Sequence, residues 1–346
     1  MGKPLPLTHW PVADRMAFAA LFAEGGLLDD RGPLAHWRAP SRDTMQRQYG
    51  LWLHWVSMAA PEVLLLDPVQ RATADRLRAW LASMDGLAPA TLLGYVGAIL
   101  RLCRSIAPDR GWTAQQAILS ALHRDAKRRG APRKNGRILS SDVLFKAGAR
   151  LVQDNAGPII HPDQAVRIRD GAMICLLALM PMRRRALSEL VLGTSLRVAE
   201  GQMMICLDGS MTKNGQPWEA TVPDAACEIL ADYLWRARPV LAARKAGDQT
   251  AVWLGRHGAP LGLNQFTRAI TVRTGQLLGT PVSPHLFRDA AATTLARASS
   301  TSARLIKPIL GHSTTRIAEG HYIRADTIAA GRGLASALEA LKRQKA

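Results

Sequence analysis

Carboxylates are scarce in this chain. It carries 27 Asp and Glu against 45 Lys and Arg in 346 residues, a formal net charge of +18. Such an imbalance points to a polyanionic partner, most often nucleic acid. High Arg usage across a genome also produces general basicity, so charge alone favours nucleic acid only modestly. Cysteine is sparse too: Cys103, Cys175, Cys206 and Cys227 include no C-x-x-C pair. That spacing argues against a zinc site or a disulfide framework and for reduced thiols in a cytoplasmic protein. Aromatic residues make up only 5% of the chain, and nine of them are Trp. The longest apolar run, Ala172 to Met182, has eleven residues and contains Pro181. It is too short to span a bilayer. The start, Met1-Gly2-Lys3-Pro4-Leu5-Pro6, has no apolar stretch of the secretory kind. The chain also lacks G-x-x-x-x-G-K-[ST], G-x-S-x-G and H-E-x-x-H, and no acidic cluster suits a two-metal nuclease.

Charge and periodicity divide what is present. Residues 1–40 have no net charge, whereas 41–138 carry +8 and 139–346 carry +10. The first 40 residues are rich in Pro and Gly and read as a head segment with one short helix near 13–24. Met45, Tyr49, Trp52, Val56 and Ala59 then step along one helical face. Asp43 with Gln46 resembles a capping box at its start. Leu77, Trp80, Leu81 and Met84 make a second stripe. Leu92, Tyr95, Val96, Ile99, Cys103 and Ile106 make a third, and Ile118, Leu119 and Leu122 a fourth behind Thr113. Residues 41–126 therefore read as a four-helix domain. Residues 127–138 follow as an aperiodic basic linker with Gly130, Pro132 and Gly136. Its bases are Lys127, Arg128, Arg129, Arg133, Lys134 and Arg137. They read equally well as a solvated tether or as a strap along a phosphate backbone.

From residue 139 the pattern is helical over 141–155, 164–180 and 186–191. It then shifts to period two for three short strands, 196–199, 203–207 and 218–222, with Asn214-Gly215 as a hairpin turn. Helices resume at 224–243, 263–278, 285–298, 302–310 and 326–342. The expected fold is mainly α: a helical domain, then a mixed α/β domain over 139–346 with a small three-stranded antiparallel sheet.

Four elements of the second domain hold chemically useful residues. Arg183-Arg184-Arg185 follows the apolar helix ending at Pro181-Met182. Lys213 adjoins the Asn214-Gly215 turn. His285 and Arg288 share a helix face behind Pro284, which leaves that helix's first N–H groups free for an anion. Leu310-Gly311-His312 is followed by Tyr322, whose neighbours Glu319, His321 and Arg324 are polar. Each element alone has an ordinary structural explanation. In this order they resemble the tyrosine recombinase (phage integrase) family of site-specific DNA recombinases.

The resemblance spans roughly residues 41–346 and implies a helical core-binding domain ahead of the catalytic one. It assigns Arg183, Lys213, His285, Arg288, His312 and Tyr322 as catalytic residues. Arg185 is a fallback for the first arginine, because Ala186 stands where many relatives carry Glu. Tyr322 would attack the phosphodiester and Arg183 and Arg288 would bind its non-bridging oxygens. Lys213 would protonate the leaving 5′-oxygen, His285 would accept the tyrosine proton and His312 would hold the phosphate. The resemblance implies double-stranded DNA as partner, a homo-tetramer on two synapsed sites, no cofactor, no metal and no membrane, and a nucleoid-associated cytoplasmic location. The helix at 326–342 would dock in cis or on a neighbouring subunit. A type IB topoisomerase and a catalytically silent DNA-binding relative are the alternatives.

Overall fold

The computed structural model describes residues 2–26, 30–129, 136–199, 201–212, 215–247 and 249–298. The helices expected at 302–310 and 326–342 lie outside these residues. The chain divides into two compact units, Met1–Pro132 and Arg133–Ala346.

The first unit contains α1 (Val12–Leu21), α2 (Ala39–Ala59), α3 (Pro68–Arg71), α4 (Ala74–Ala82), α5 (Pro89–Ile106) and α6 (Thr113–Arg129). The four sequence stripes fall on α2, α4, α5 and α6. Local chemistry sets several starts. Asp67 Oδ1 accepts the N–H groups of Val69 and Gln70 at 2.8 Å each, and Thr73 Oγ1 accepts that of Arg76 at 3.3 Å, both as N-caps. Helix α2 begins earlier than Asp43, the start read from the sequence. Pro40 sits in its first turn and Arg38 takes the cap position without a side-chain bond, because proline's fixed φ already suits a helix start.

Residues 2–26 are not peripheral. Trp10, Phe18, Leu21 and Phe22 share one core with Tyr49, Trp52, Trp80 and Ile99. Deeper still, Arg71 is fully buried and its Nη1 donates to Asp14 Oδ1 at 2.6 Å. Tyr49 Oη donates to the same oxygen at 2.6 Å. Arg71 also donates to the carbonyls of Val63 and Leu64. This network ties α1 to α2 and α3. At the other end of the unit α6 runs on through Lys127, Arg128 and Arg129, so these three are helical rather than part of an aperiodic linker.

The second unit is organised on α8 (Pro162–Leu179), which follows α7 (Ser141–Gln153). His161 Nδ1 accepts the Asp163 N–H at 3.2 Å, and Gln164 Oε1 accepts that of His161 at 3.0 Å, a reciprocal cap. From Ile168 to Ala178 every residue of α8 is buried. The eleven-residue apolar run is thus the core of a globular unit, and no described helix is long and apolar enough to cross a membrane. Helix α7 packs against α8 through two glycines. A Cβ on Gly148 would stand 2.9 Å from Gly171 O, and one on Gly171 would stand 2.7 Å from Gly148 O.

After α9 (Arg184–Ser188) come β1 (Leu196–Ala199), β2 (Gln202–Leu207) and β3 (Trp218–Thr221), antiparallel in the order β1-β2-β3. The tight turn joins β1 to β2, where Gly201 has φ 79°. Leu207 pairs with Trp218, so ten residues, 208–217, join β2 to β3 in place of a two-residue hairpin turn; Asn214 lies outside the described residues. Helices α10 (Asp224–Asp232) and α11 (Arg238–Ala242) are separated by a π-helical turn, Tyr233–Ala237. Helices α12 (Leu263–Leu278) and α13 (Pro284–Ala298) complete the described unit.

Two outcomes follow for stability and reactivity. Asp14→Ala leaves the Arg71 charge buried and is expected to cost about 3–5 kcal/mol. Tyr49→Phe keeps the ion pair and is expected to cost about half as much; urea unfolding of both variants checks the order. Burial pushes the Cys103 and Cys175 thiols up to about 12, and Cys206 is buried while Cys227 is half-buried. A disulfide reagent near neutral pH is therefore expected to label native protein at Cys227 first, with the other three thiols reacting after denaturation.

Candidate active site

The site begins where α8 stops. Pro181 cannot continue the helix; Met182 N–H instead bonds Met180 O at 2.7 Å. Met180 and Met182 are buried on either side of it. This anchored turn sets the direction of Arg183, which takes extended dihedrals (φ −66°, ψ 137°) as the N-cap of α9.

Helix α13 approaches the same turn. Leu286, Phe287 and Ala290 of α13 are buried in the core, and Arg288 on the same helix is largely buried beside them. Its guanidinium, 8% exposed, donates from Nη1 to Pro181 O at 2.6 Å. Burial, then the charge of Arg183, lower the Arg288 pKa to about 10, with Asp289 opposing them. Arg183 is also lowered, by burial. The Arg288 guanidinium remains charged near neutral pH, because about 10 lies well above it. His285, one turn before Arg288, is exposed.

These three side chains line one cleft of about 480 Å³ with Arg184, Arg185, Thr267 and Ser283. Four guanidiniums and no carboxylate line it. Arg185, the fallback for the first arginine, bonds Glu189 from Nε at 2.9 Å, whereas the charge of Arg183 acts on Arg288. Helix α12 brings Thr267 and is locked to α8 beneath it. Asp170, buried on α8, accepts from Arg169 Nη2 at 2.6 Å and from Arg273 Nη2 at 3.1 Å. Planar guanidiniums at a partly desolvated site favour a tetrahedral or trigonal-bipyramidal oxyanion.

Lys213, His312 and Tyr322 lie outside the described residues, as do Arg133 and Lys134. The loop that carries Lys213 is pinched at its base. Thr212 Oγ1 donates to Gln216 O at 2.7 Å, and a Cβ on Gly209 would stand only 2.3 Å from Gly215 O. The remaining sequence-selected bases divide between the two units. In the first, Lys127 lies on the last turn of α6, where Arg128 and Arg129 both pair with Asp125 at 2.6 and 3.1 Å. These bonds, that of Arg128 foremost, lower the Asp125 pKa. In the second, Arg137 donates to Pro281 O at 3.1 Å, just ahead of α13.

The other tyrosines have structural roles. Tyr49 is buried against Asp14, and its hydroxyl is held well above its ordinary pKa by burial and then by the Asp14 charge. Tyr233 is fully buried. It donates to Val252 O at 2.8 Å, accepts the Leu254 N–H at 3.2 Å and stacks on Trp253. Burial raises its pKa to about 12. Tyr95 packs against the first core beside Trp80. Two site features escaped the sequence. Thr267 looks like any helical threonine, and the Pro181 carbonyl is a backbone group that no side-chain pattern marks. Ultraviolet titration of native protein is expected to leave Tyr49 and Tyr233 unionised at about pH 11, above the ordinary phenol value; a Tyr233→Phe difference spectrum that titrates near 10 would contradict the burial of that residue.

Residues 149–327 match the model of the Phage integrase family. The chain is 31% identical over 159 residues to "Tyrosine recombinase XerD" of Corynebacterium glutamicum, covering 42% of this chain and 50% of the relative. It is 33% identical over 143 residues to "Tyrosine recombinase XerC" of Chromobacterium violaceum, covering 38% of this chain and 44% of the relative. The chain thus spans half or less of the length of these two relatives. Among solved structures, a XerH site-specific recombinase bound to palindromic difH substrate superposes with a TM-score of 0.57 at 15% identity, covering 85% of this chain and 79% of that one. The Tn1549 transposon integrase in complex with transposon right end DNA gives 0.55 at 12% identity, covering 87% and 96%. At these identities the structural likeness is one of fold.

Proposed function

The chain belongs to the phage integrase family, and on that premise we propose that it is a site-specific DNA strand-transferase that works through a 3′-phosphotyrosyl intermediate. The observation that carries this reading is the pairing of Arg183 and Arg288, 105 residues apart in sequence, at one carboxylate-free cleft with His285. Two partly desolvated guanidiniums that repel each other are relieved by an anion between them. A scissile phosphate supplies one, and its pentacovalent transition state supplies more negative charge still.

The steps balance on the chain's own residues. Tyr322 Oη attacks phosphorus while His285 accepts the phenolic proton. The bond to the 5′-oxygen breaks, and Lys213 protonates the leaving alkoxide. Arg183 and Arg288 bind the non-bridging oxygens, and His312 donates to one of them. The phosphodiester energy is kept in the phosphotyrosyl bond. A 5′-hydroxyl from a second duplex then attacks it and releases the tyrosine. No electrons change hands and no co-reactant is consumed. Exchange between two duplexes calls for a homo-tetramer, acting at the nucleoid. The bases Lys127, Arg128 and Arg129 on the last turn of α6, with Arg133, Lys134 and Arg137 after it in sequence, support binding to a DNA backbone by a DNA-gripping first unit ahead of a catalytic second one.

A duplex nicked beside the scissile phosphate traps the covalent intermediate. Wild-type protein is expected to form the adduct, and Tyr322→Phe to bind the duplex without forming it. Arg183→Ala is expected to slow cleavage about a hundredfold or more, and Arg185→Ala far less. The reverse order would move the first arginine by two positions. A 5′-bridging sulfur, which leaves without a proton, is expected to rescue Lys213→Ala but not Arg288→Ala; equal rescue would remove Lys213 from the acid role. Exchange between two duplexes, rather than relaxation of one, separates a recombinase from a topoisomerase.

A further inference from the structure

Arg183, Arg184 and Arg185 are consecutive, yet the fold gives each a different setting. Arg183 is half-buried and electrostatically coupled to Arg288. Arg185 is paired with Glu189 at 2.9 Å. Arg184 is exposed, and its Nη1 donates to Thr267 Oγ1 at 3.3 Å. Among the described residues no carboxylate pairs with it. The Thr267 hydroxyl already donates to Leu263 O at 2.9 Å, so it receives the Arg184 N–H on a lone pair. A neutral hydroxyl orients the guanidinium without cancelling its charge, and it occupies only one of five donors.

Arg184 therefore presents an oriented, uncompensated cation at the rim of the cleft. Its backbone is fixed as well, because it is the first helical residue of α9 and Arg183 is the extended N-cap. The two Cα atoms are one peptide apart, about 3.8 Å, but one side chain faces the desolvated interior and the other the open edge. Arg184 lines the same cleft as Arg183 and Arg288, within reach of a strand that puts one phosphate between those two. We propose that Arg184, oriented by Thr267, grips a phosphate adjoining the reacting one and so sets the position of the strand in the cleft, an inference that rests on the strand-transfer reading above. Orientation before binding matters because a pre-ordered arginine loses less side-chain freedom when it closes on its ligand.

The test uses the full chain and a duplex enriched from random sequence by binding to it. Affinity is measured as a function of salt, and adduct formation is followed on the nicked form of the same duplex. Arg184→Ala is expected to weaken binding about tenfold and to lower the slope of log affinity against log salt by about 1. Arg184→Lys should keep the slope, since it keeps the charge. Thr267→Val should also keep the slope and lose only a little affinity. A neutral methylphosphonate is then placed in turn at each phosphate flanking the scissile one. At one such position wild type should lose about tenfold, and Arg184→Ala should lose nothing further. An unchanged slope in Arg184→Ala overturns the proposal, and so do additive losses at every flanking position. Equal losses in Arg184→Ala and Thr267→Val with both slopes intact would make the bond a mere staple between α9 and α12. Absence of a wild-type adduct on the nicked duplex would count against strand transfer itself, whereas adducts without phosphate coupling would count against Arg184 alone.

Discussion

A guanidinium that is 8% exposed needs a partner, and Arg288 finds it in the Pro181 carbonyl at 2.6 Å. The candidate site depends on this bond. It joins the first turns of α13 to the break that ends α8. That break exists because proline cannot extend the helix and because Met180 and Met182 bury themselves on both sides of it. Arg183, one residue further on, is thereby held close enough to Arg288 for each charge to oppose the other. The cost of that proximity lies in the unoccupied protein and is offset when an anion enters. The site is thus prepared for negative charge before any substrate arrives, as electrostatic catalysis requires.

Helix α8 transmits this order to the rest of the second unit. Its buried middle carries no polar side chain that lacks a role. Asp170 satisfies Arg169 and Arg273 together, and Arg169 also donates to Leu254 O at 2.7 Å. Helix α12 is consequently fixed relative to α8, and Thr267 with it. The glycine contact between Gly148 and Gly171 brings α7 in from the other side. The inward residues of the small sheet, Leu196, Met203, Ile205 and Leu207, share one core with α8, and the 208–217 connection between β2 and β3 carries Lys213.

The first unit solves a different problem with similar means. The Asp14, Tyr49 and Arg71 network holds a buried charge pair: the guanidinium also meets backbone carbonyls and Asp14 Oδ1 also accepts from a phenol, while Asp14 Oδ2 is buried without a hydrogen bond. Such a pair is costly to break and specifies which segments meet. It makes residues 2–26 part of the helical core, although their Pro- and Gly-rich sequence has the look of a head segment. The hydrophobic contacts of Trp10 and Phe18 act with it.

Much of this was legible in the sequence. Periodicity placed α2, α4, α5 and α6, all three strands, and α12 with its boundaries at 263 and 278. Side-chain repeat lengths report on which face is buried, and burial dominates the choice of element. The resemblance to the tyrosine recombinases pointed to Arg183, His285 and Arg288 before any fold was known, and the structure brings these three to one cleft. Element edges set by the backbone were less legible. The start of α2 at Ala39, the π-helical turn at Tyr233–Ala237 and the long loop around Asn214-Gly215 are examples. The different settings of Arg183, Arg184 and Arg185 were not in the sequence. Three identical side chains in a row differ only in what surrounds them, and here the surroundings are a second guanidinium, a threonine hydroxyl and a glutamate. They come from α13, from α12 and from the residue that caps the end of α9. The sequence determined which chemical groups were available and on which elements they ride. Only the tertiary packing decided which of them lose water and meet, because desolvation and charge proximity are properties of the assembled fold.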